Sequence, residues 1–422
     1  MSAISKEKWP ILILSVVFSV FTIFLPDTTP PGQFDRNCFI SWSNFMLGNG
    51  LNNIYKFGVD YLPLYHYLLF FYGKLVGDTA GIVHGINSLK LVTLLFELMG
   101  VYYAYLIVKP TFKVKKNALM VFLLIPFNIA FFYDNIIYGQ VDGIYTTFAV
   151  MSIFYALQKR PALSLICFVV GLNFKLQTIV FFPLIAMLNF PAVFENFTIK
   201  KAVQVFLPAI FLQVLIVLPF ALSGDLYKVW EVVMTASGKF ERLSMGAFNF
   251  WALFFEHPFS VHDGLGIWGR SYNVIGLGLF ILFSGIFLFP IFFKDFQFLY
   301  GVEPSISFSV EKAFLTAGLL VLGLFYFNTQ MHSRYIHSAV LMIGIYSIYT
   351  RRYLPYILIS IAYFLNIEGA AKILKGNILP FKSFLFQPWF VSILFLVLIV
   401  LLMYHLFSKH RQVVAEKQIL FD

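Results

Sequence analysis

The sequence predicts an all-α, multi-pass integral membrane protein, and three observations carry the prediction. The first is composition. Of the 422 residues, 60% are hydrophobic and 12% charged, against about 45–50% and about 25% in an ordinary soluble domain. So much apolar surface has no place in water, and lipid must be the solvent for most of it. The second is a mean hydropathy of +0.82, spread along the chain so that no stretch reads as a separate soluble domain. The third is length. Apolar runs of about 17–25 residues recur, the span that a helix needs to cross a hydrocarbon core of about 30 Å.

Taken in order, twelve segments fit this picture: Trp9–Leu25, Ile82–Val108, Ala118–Phe132, Val141–Leu157, Ala162–Phe174, Thr178–Leu188, Ala202–Leu222, Ser271–Phe293, Ala313–Phe327, Ile336–Tyr349, Tyr353–Leu365 and Phe390–Leu406. The Trp9–Leu25 stretch lacks a small-residue cleavage site and reads as a retained first helix rather than a secretory signal. Several segments are short. Short spans joined by polar turns predict helices that meet inside the membrane around a cavity, where irregular backbone is tolerated.

The formal net charge is +10. In a soluble protein that would suggest nucleic acid. Here the basic residues gather in short connections such as Lys109–Lys116, Lys159–Arg160 and Thr350–Arg352, so the charge is read as topology and no nucleic-acid partner is expected. Short basic loops belong in the cytoplasm, which places both termini there. The outer side then carries the polar material: Pro26–Gly81, Ser223–Arg270 and Asn366–Trp389, with short turns at Tyr133–Gln140, Lys175–Gln177 and Asn328–Tyr335. A protein with its polar residues on one face is expected to work on that face. There is no internal repeat, and residues 1–422 read as one unit with 26–81 and 223–270 as its large outer loops. Cys38 and Cys167 are far apart and form no metal spacing or disulfide framework. His66, His84, His257, His262 and His337 likewise share no metal spacing and are read as structural.

In the first outer loop, Cys38, Trp42, Phe45 and Met46 recur at i, i+4, i+7 and i+8. That is one apolar face of a helix lying on the outer membrane surface, with Asp35 at its N-terminus, where a carboxylate can cap free N–H groups. Lys175 sits between two short apolar segments, and a charge near membrane depth is a functional candidate by default; the plainer reading is a lysine that snorkels to the surface. His332 and Arg334 end a span and, with Tyr335, could equally be interfacial anchors. Gln140 and Asp142 open the fourth segment as helix cap or cavity lining. Asn249 and Trp251 suit sugar binding, although Trp at an interface is ordinary. Asp60 reads as a turn residue or a ligand carboxylate.

Five segments together carry a resemblance. They are Asp60-Tyr61-Leu62-Pro63-Leu64-Tyr65, preceded by Asp35 and the turn Gly48-Asn49-Gly50; Tyr138-Gly139-Gln140-Val141-Asp142; Asn173-Phe174-Lys175-Leu176-Gln177; Ser244-Met245-Gly246-Ala247-Phe248-Asn249-Phe250-Trp251; and Gln330-Met331-His332-Ser333-Arg334-Tyr335. In this order the chain resembles the GT-C superfamily of polyprenyl-phosphate-dependent glycosyltransferases, in particular its bacterial mannosyltransferase-like branch. Two departures stand out. Ser333 takes the place of an acid found in many relatives, and Asp35 is followed by Arg36 instead of a second acid. One carboxylate beside an arginine is poor at holding a divalent ion, so neither metal nor cofactor is expected.

The resemblance implies a GT-C-like fold and a reaction. A hexose such as mannose would pass from a polyprenyl-phosphate donor to a hydroxyl of a lipid-linked or cell-surface glycan, at the outer face of a cytoplasmic (inner) membrane. It implies Asp35 as general base, with Asp60 as the alternative. Asp60, Tyr61, Gln140, Asp142, Lys175, Gln177, Asn249, Trp251, His332 and Arg334 would bind substrate, Lys175, His332 and Arg334 at the phosphate. A lone base without a carboxylate nucleophile implies inversion. Two other classes stay open: a secondary transporter or lipid flippase, which would show paired acids at mid-membrane in two related halves, and a glycan polymerase or ligase.

Overall fold

The structure, a computed structural model, describes residue 17 and residues 30–113, 119–236, 238–299, 308–374 and 384–408. The expected Trp9–Leu25 span lies outside the described residues except for Val17. The rest is helical apart from connecting turns and one two-stranded hairpin, β1 (Gly266–Ile267) and β2 (Arg270–Ser271).

Among the described residues, seven helical stretches are long and apolar enough to cross a membrane: Thr79–Thr111, Leu176–Phe194, Ile199–Leu222, Tyr272–Gln297, Val310–Phe327, Leu354–Lys372 and Pro388–Phe407. Asp142–Leu157 and Pro161–Phe174 are shorter apolar helices, and His337–Thr350 is a further short one. The protein is therefore an all-α, multi-pass membrane protein.

In chain order the helices are α1 (Pro30–Asn49), α2 (Pro63–Val76), α3 (Thr79–Gly85), α4 (Leu89–Val108), α5 (Val121–Leu124), α6 (Ile129–Phe132), α7 (Asp142–Leu157), α8 (Pro161–Phe174), α9 (Phe182–Phe194), α10 (Ile199–Leu222), α11 (Leu226–Met234), α12 (Tyr272–Leu299), α13 (Val310–Phe327), α14 (His337–Thr350), α15 (Leu354–Leu374) and α16 (Pro388–Phe407). Two kinds of long helix can be told apart by what covers them. The apolar window of α13 is 78% buried inside the protein, whereas those of α10 and α12 are only 22% buried. The uncovered faces of α10 and α12 present Leu207, Phe211, Leu218, Ile281 and Leu282. Apolar surface of that extent needs hydrocarbon around it.

The structure departs from three sequence expectations. Of the expected Ala118–Phe132 span, the described residues 119–132 do not form one helix: the helical path breaks after Leu124 near Pro126, and α6 restarts where the Asn128 side chain accepts from the Ala130 and Phe131 amides. Asn366–Trp389 is not all loop, because α15 continues through Asn366 to Leu374. In α1 the buried face is Phe39, Trp42, Ser43 and Met46, with Cys38 and Phe45 only half-buried. The helix starts at Pro30, five positions ahead of the expected start, and its apolar stripe is centred one residue from where Cys38 and Phe45 put it.

Helices α7 and α8 join through a turn at residues 158–160, and α14 and α15 through one at residues 351–353. Both turns carry arginine. The opposite ends of these helices carry Asp142, Phe174 and His337, and there the polar side chains converge.

Candidate active site

Four remote segments meet at that end. The first is α1, where Asp35 sits in the second turn of the helix. It therefore caps no free amides, and the capping role expected from its sequence position is corrected. Its carboxylate instead accepts a hydrogen bond from Gln140 Nε2 at 2.7 Å and pairs with the Arg334 guanidinium. The second segment is the tight turn before α7. Gly139 takes φ +66° there, a conformation that suits glycine, and the Gln140 amide N–H donates to the Asp134 carbonyl at 3.2 Å. Gln140 thereby points at Asp35, and Asp142 begins α7.

The third segment is the break after α8. Lys175 is extended, with φ −155° and ψ 129°, and its side chain returns to the bundle. Its Nζ lies 2.6 Å from Asp142 Oδ1, over the rings of Tyr145 and Tyr335 at 5.8 and 5.5 Å. The fourth is the turn between α13 and α14, which presents Arg334. Its Nε is 3.9 Å from Asp142 Oδ2. The result is an alternating row, Gln140–Asp35–Arg334–Asp142–Lys175, drawn from residues up to 299 positions apart in the chain.

Charges in the row balance pairwise, and the environment sets their state. Burial works to raise the Asp35 carboxyl, but Arg334 and the Gln140 amide outweigh it and hold the group below the usual carboxylate range. Burial opposes the Arg334 charge, and the surrounding Asp35, Tyr61 and Asp142 more than restore it. His332 differs. Burial, helped by Arg334, pushes it down to about 3, so at neutral pH it is an uncharged ring, packed against Phe240 and Tyr335 at 4.9 and 5.1 Å.

Several buried polar atoms around the row have no hydrogen-bond partner among the described residues: Gln140 Oε1, Arg334 Nε, Asp142 Oδ2 and the hydroxyls of Tyr61 and Tyr65. Orphaned buried groups are rare and call for a reason, and polar atoms left over beside the row suit a polar ligand. Among the described residues no three His, Cys, Asp or Glu side chains gather as metal ligands would. The groups suited to an anion are Arg334 and Lys175.

The remaining expected site residues lie around the row or away from it. Tyr61 lines it, its ring packed on Trp42 and Tyr65, both at 5.3 Å. Asp60 is exposed and pairs with Lys239 at 2.5 Å, joining the segment between α1 and α2 to the 223–270 segment. Gln177 is half-buried in the turn that follows Lys175, and no hydrogen bond joins it to the row among the described residues. Asn249 and Trp251 hold backbone. The Asn249 amide donates to the Phe325 and Asn328 carbonyls, each at 3.1 Å, and Trp251 Nε1 donates to Phe327 O at 3.1 Å. They clamp their loop onto the end of α13, and the sugar-binding expectation for them is not what these contacts describe.

Sequence reasoning passed over Tyr145, three residues after Asp142 on the same helical face, and Lys239. It also passed over Glu97 and Asp134, which with His337 lie fully enclosed beneath the row. The signal for Glu97 was plain: an acid inside an otherwise apolar span. The chain matches no known family model and no curated protein sequence.

Proposed function

We propose that this protein is a GT-C-type membrane glycosyltransferase that moves a hexose from a polyprenyl-phosphate donor to a glycan or lipid-linked hydroxyl. The observation that carries the reading is the alternating row: one carboxylate with accessible charge partners, two cations and a guanidinium nitrogen without a hydrogen bond, assembled at the ends of apolar helices where a lipid-borne phosphate would arrive.

The chemistry follows from the row. An acceptor hydroxyl attacks the anomeric carbon while the bond to the lipid phosphate breaks. Asp35 takes the hydroxyl proton. Arg334 and Lys175 meet the charge that grows on the departing phosphate. As Arg334 turns toward phosphate it releases Asp35, so donor binding and base activation are one event. A carboxylate held below its usual range is a weak base, which suffices when proton transfer comes late, after the glycosidic bond has largely broken. One base and no nucleophilic carboxylate give inversion.

The reading includes a location: a cytoplasmic membrane, both termini inside, the row on the outer side. With Cys38 and Cys167 replaced by serine, an impermeant maleimide added outside intact cells should label Asn52→Cys and spare Arg351→Cys. The reverse pattern would sink the placement. The function itself is tested by incubating the purified protein with a panel of polyprenyl-phosphate hexoses and a host lipid extract, and reading a labelled product. Transfer from one donor class supports the reading. No transfer from any donor, with uptake of a solute or lipid in proteoliposomes, would favour the transporter or flippase class instead.

A further inference from the structure

Beneath the row, three ionisable side chains meet where no water reaches. His337, the first residue of α14, places Nδ1 3.1 Å from Asp134 Oδ2 and Nε2 3.8 Å from Glu97 Oε1. His337 and Asp134 are fully buried and Glu97 is 3% exposed. Both ring nitrogens face carboxyl oxygens. Phe131 stacks on the ring at 4.6 Å and Tyr363 meets it edge-on at 6.3 Å.

Each member of this trio is tied to a different part of the row. The His337 amide donates to the Arg334 carbonyl at 2.9 Å, closing the turn that presents the guanidinium. The Asp134 carbonyl accepts from the Gln140 amide, and Gln140 holds Asp35. Glu97 reaches across from α4 and lies against Gly143, where a Cβ would collide with its side chain; Gly143 is the neighbour of Asp142. The three side chains therefore join the bases of all three elements that carry Arg334, Gln140 and Asp142. What polar groups add there over apolar side chains is direction: they fix which atoms meet.

We infer that Glu97, His337 and Asp134 are positioning residues, a buried polar clamp that sets the mutual placement of Arg334, Gln140 and Asp142. The kinetic part of this inference rests on the transferase reading; the structural part does not. The test is Glu97→Leu, which nearly keeps the volume and removes both polar oxygens. Hydrogen exchange by mass spectrometry is read on peptides covering 330–340 and 134–145, with 199–222 as control, beside kcat and KM with a polyprenyl-phosphate hexose. The expected result is exchange about tenfold faster in the two site peptides and unchanged in the control, with kcat lower by about tenfold or more and KM for donor held within about twofold. Glu97→Gln, which restores a polar oxygen, should recover part of both. If the single variant does not fold, the protein carrying Glu97→Leu, Asp134→Asn and His337→Gln is read the same way. Wild-type exchange in the site peptides overturns the clamp. So does faster exchange with wild-type kcat. If the wild-type protein transfers no sugar yet Glu97→Leu loosens only the site peptides, the clamp stands and the transferase reading falls.

Discussion

Two ion pairs stand side by side in the row, and they are built differently. Asp142 and Lys175 are 0% and 6% exposed, and both grow from ends of packed helices. Asp35 and Arg334 are 13% and 11% exposed, one on α1, which is not among the apolar spanning helices, and one on a turn. The inner pair cannot exchange partners without leaving a charge uncompensated in a low-dielectric interior. The outer pair is within reach of an arriving ligand. On the proposed reading, the inner pair stays together and presents the Lys175 charge to the phosphate, while the outer pair changes partners.

The largest effect on stability should come from breaking the inner pair. Lys175→Met leaves the buried Asp142 with only the more distant Arg334 Nε at 3.9 Å, and should destabilise the protein by about 3–5 kcal/mol, read as a fall in Tm in detergent. Adding Asp142→Asn should recover much of that loss while activity stays absent. Recovery of activity in the double variant would show that the inner pair only supports structure.

Arg334→Gln should behave in the opposite proportion. Loss of stability is smaller than for Lys175→Met, while kcat/KM falls by about 10²-fold or more as one charge donor to the leaving phosphate is removed. It should also move a pH dependence. In the wild type the folded Asp35 carboxyl is depressed, so the stability it contributes is complete above the ordinary carboxylate value and is lost as pH falls through the lower folded value. Without Arg334, burial dominates, the carboxyl rises, and the acid limb of both stability and rate shifts to higher pH. An unmoved acid limb would mean that Asp35 and Arg334 are not coupled in solution.

The exposed pair at the rim sets the lower bound. Asp60 and Lys239 are 41% and 44% exposed, and such pairs contribute about 0–1 kcal/mol. Lys239→Gln should leave Tm within about a degree or two and transfer within about twofold of wild type. A large loss of transfer would move the reactive centre outward toward Asp60.

The difference between buried and exposed pairs also explains what the sequence made legible. Charged side chains are scarce in this chain, so those at the ends of apolar runs stood out, and Asp35, Gln140, Asp142, Lys175 and Arg334 could be singled out before any contact was known. The long spans were legible for the same reason, since lipid imposes an unbroken apolar run. Local geometry was less so. The start of α1 at Pro30 instead of near Asp35 turned a presumed cap into a second-turn side chain. Pro126 could have flagged the break in Ala118–Phe132. Asn249 and Trp251 show the limit: an amide and an indole next to a turn look alike in sequence whether they meet a sugar or, as here, the carbonyls of α13. Glu97, Asp134 and His337 gave no shared spacing because their meeting depends on how α4, the turn before α7 and α14 pack.

The central claim is that Asp35 removes the acceptor proton, and Asp35→Asn tests it most directly. The amide keeps the shape of the side chain and an oxygen facing Gln140 and Arg334, and loses nearly all basicity. The variant should insert and melt like the wild type to within a few degrees, bind a polyprenyl-phosphate hexose, and transfer it about 10²–10⁴-fold more slowly. Transfer by Asp35→Asn at the wild-type rate, in a preparation where the wild type is active, would contradict the claim and pass the role to Asp60.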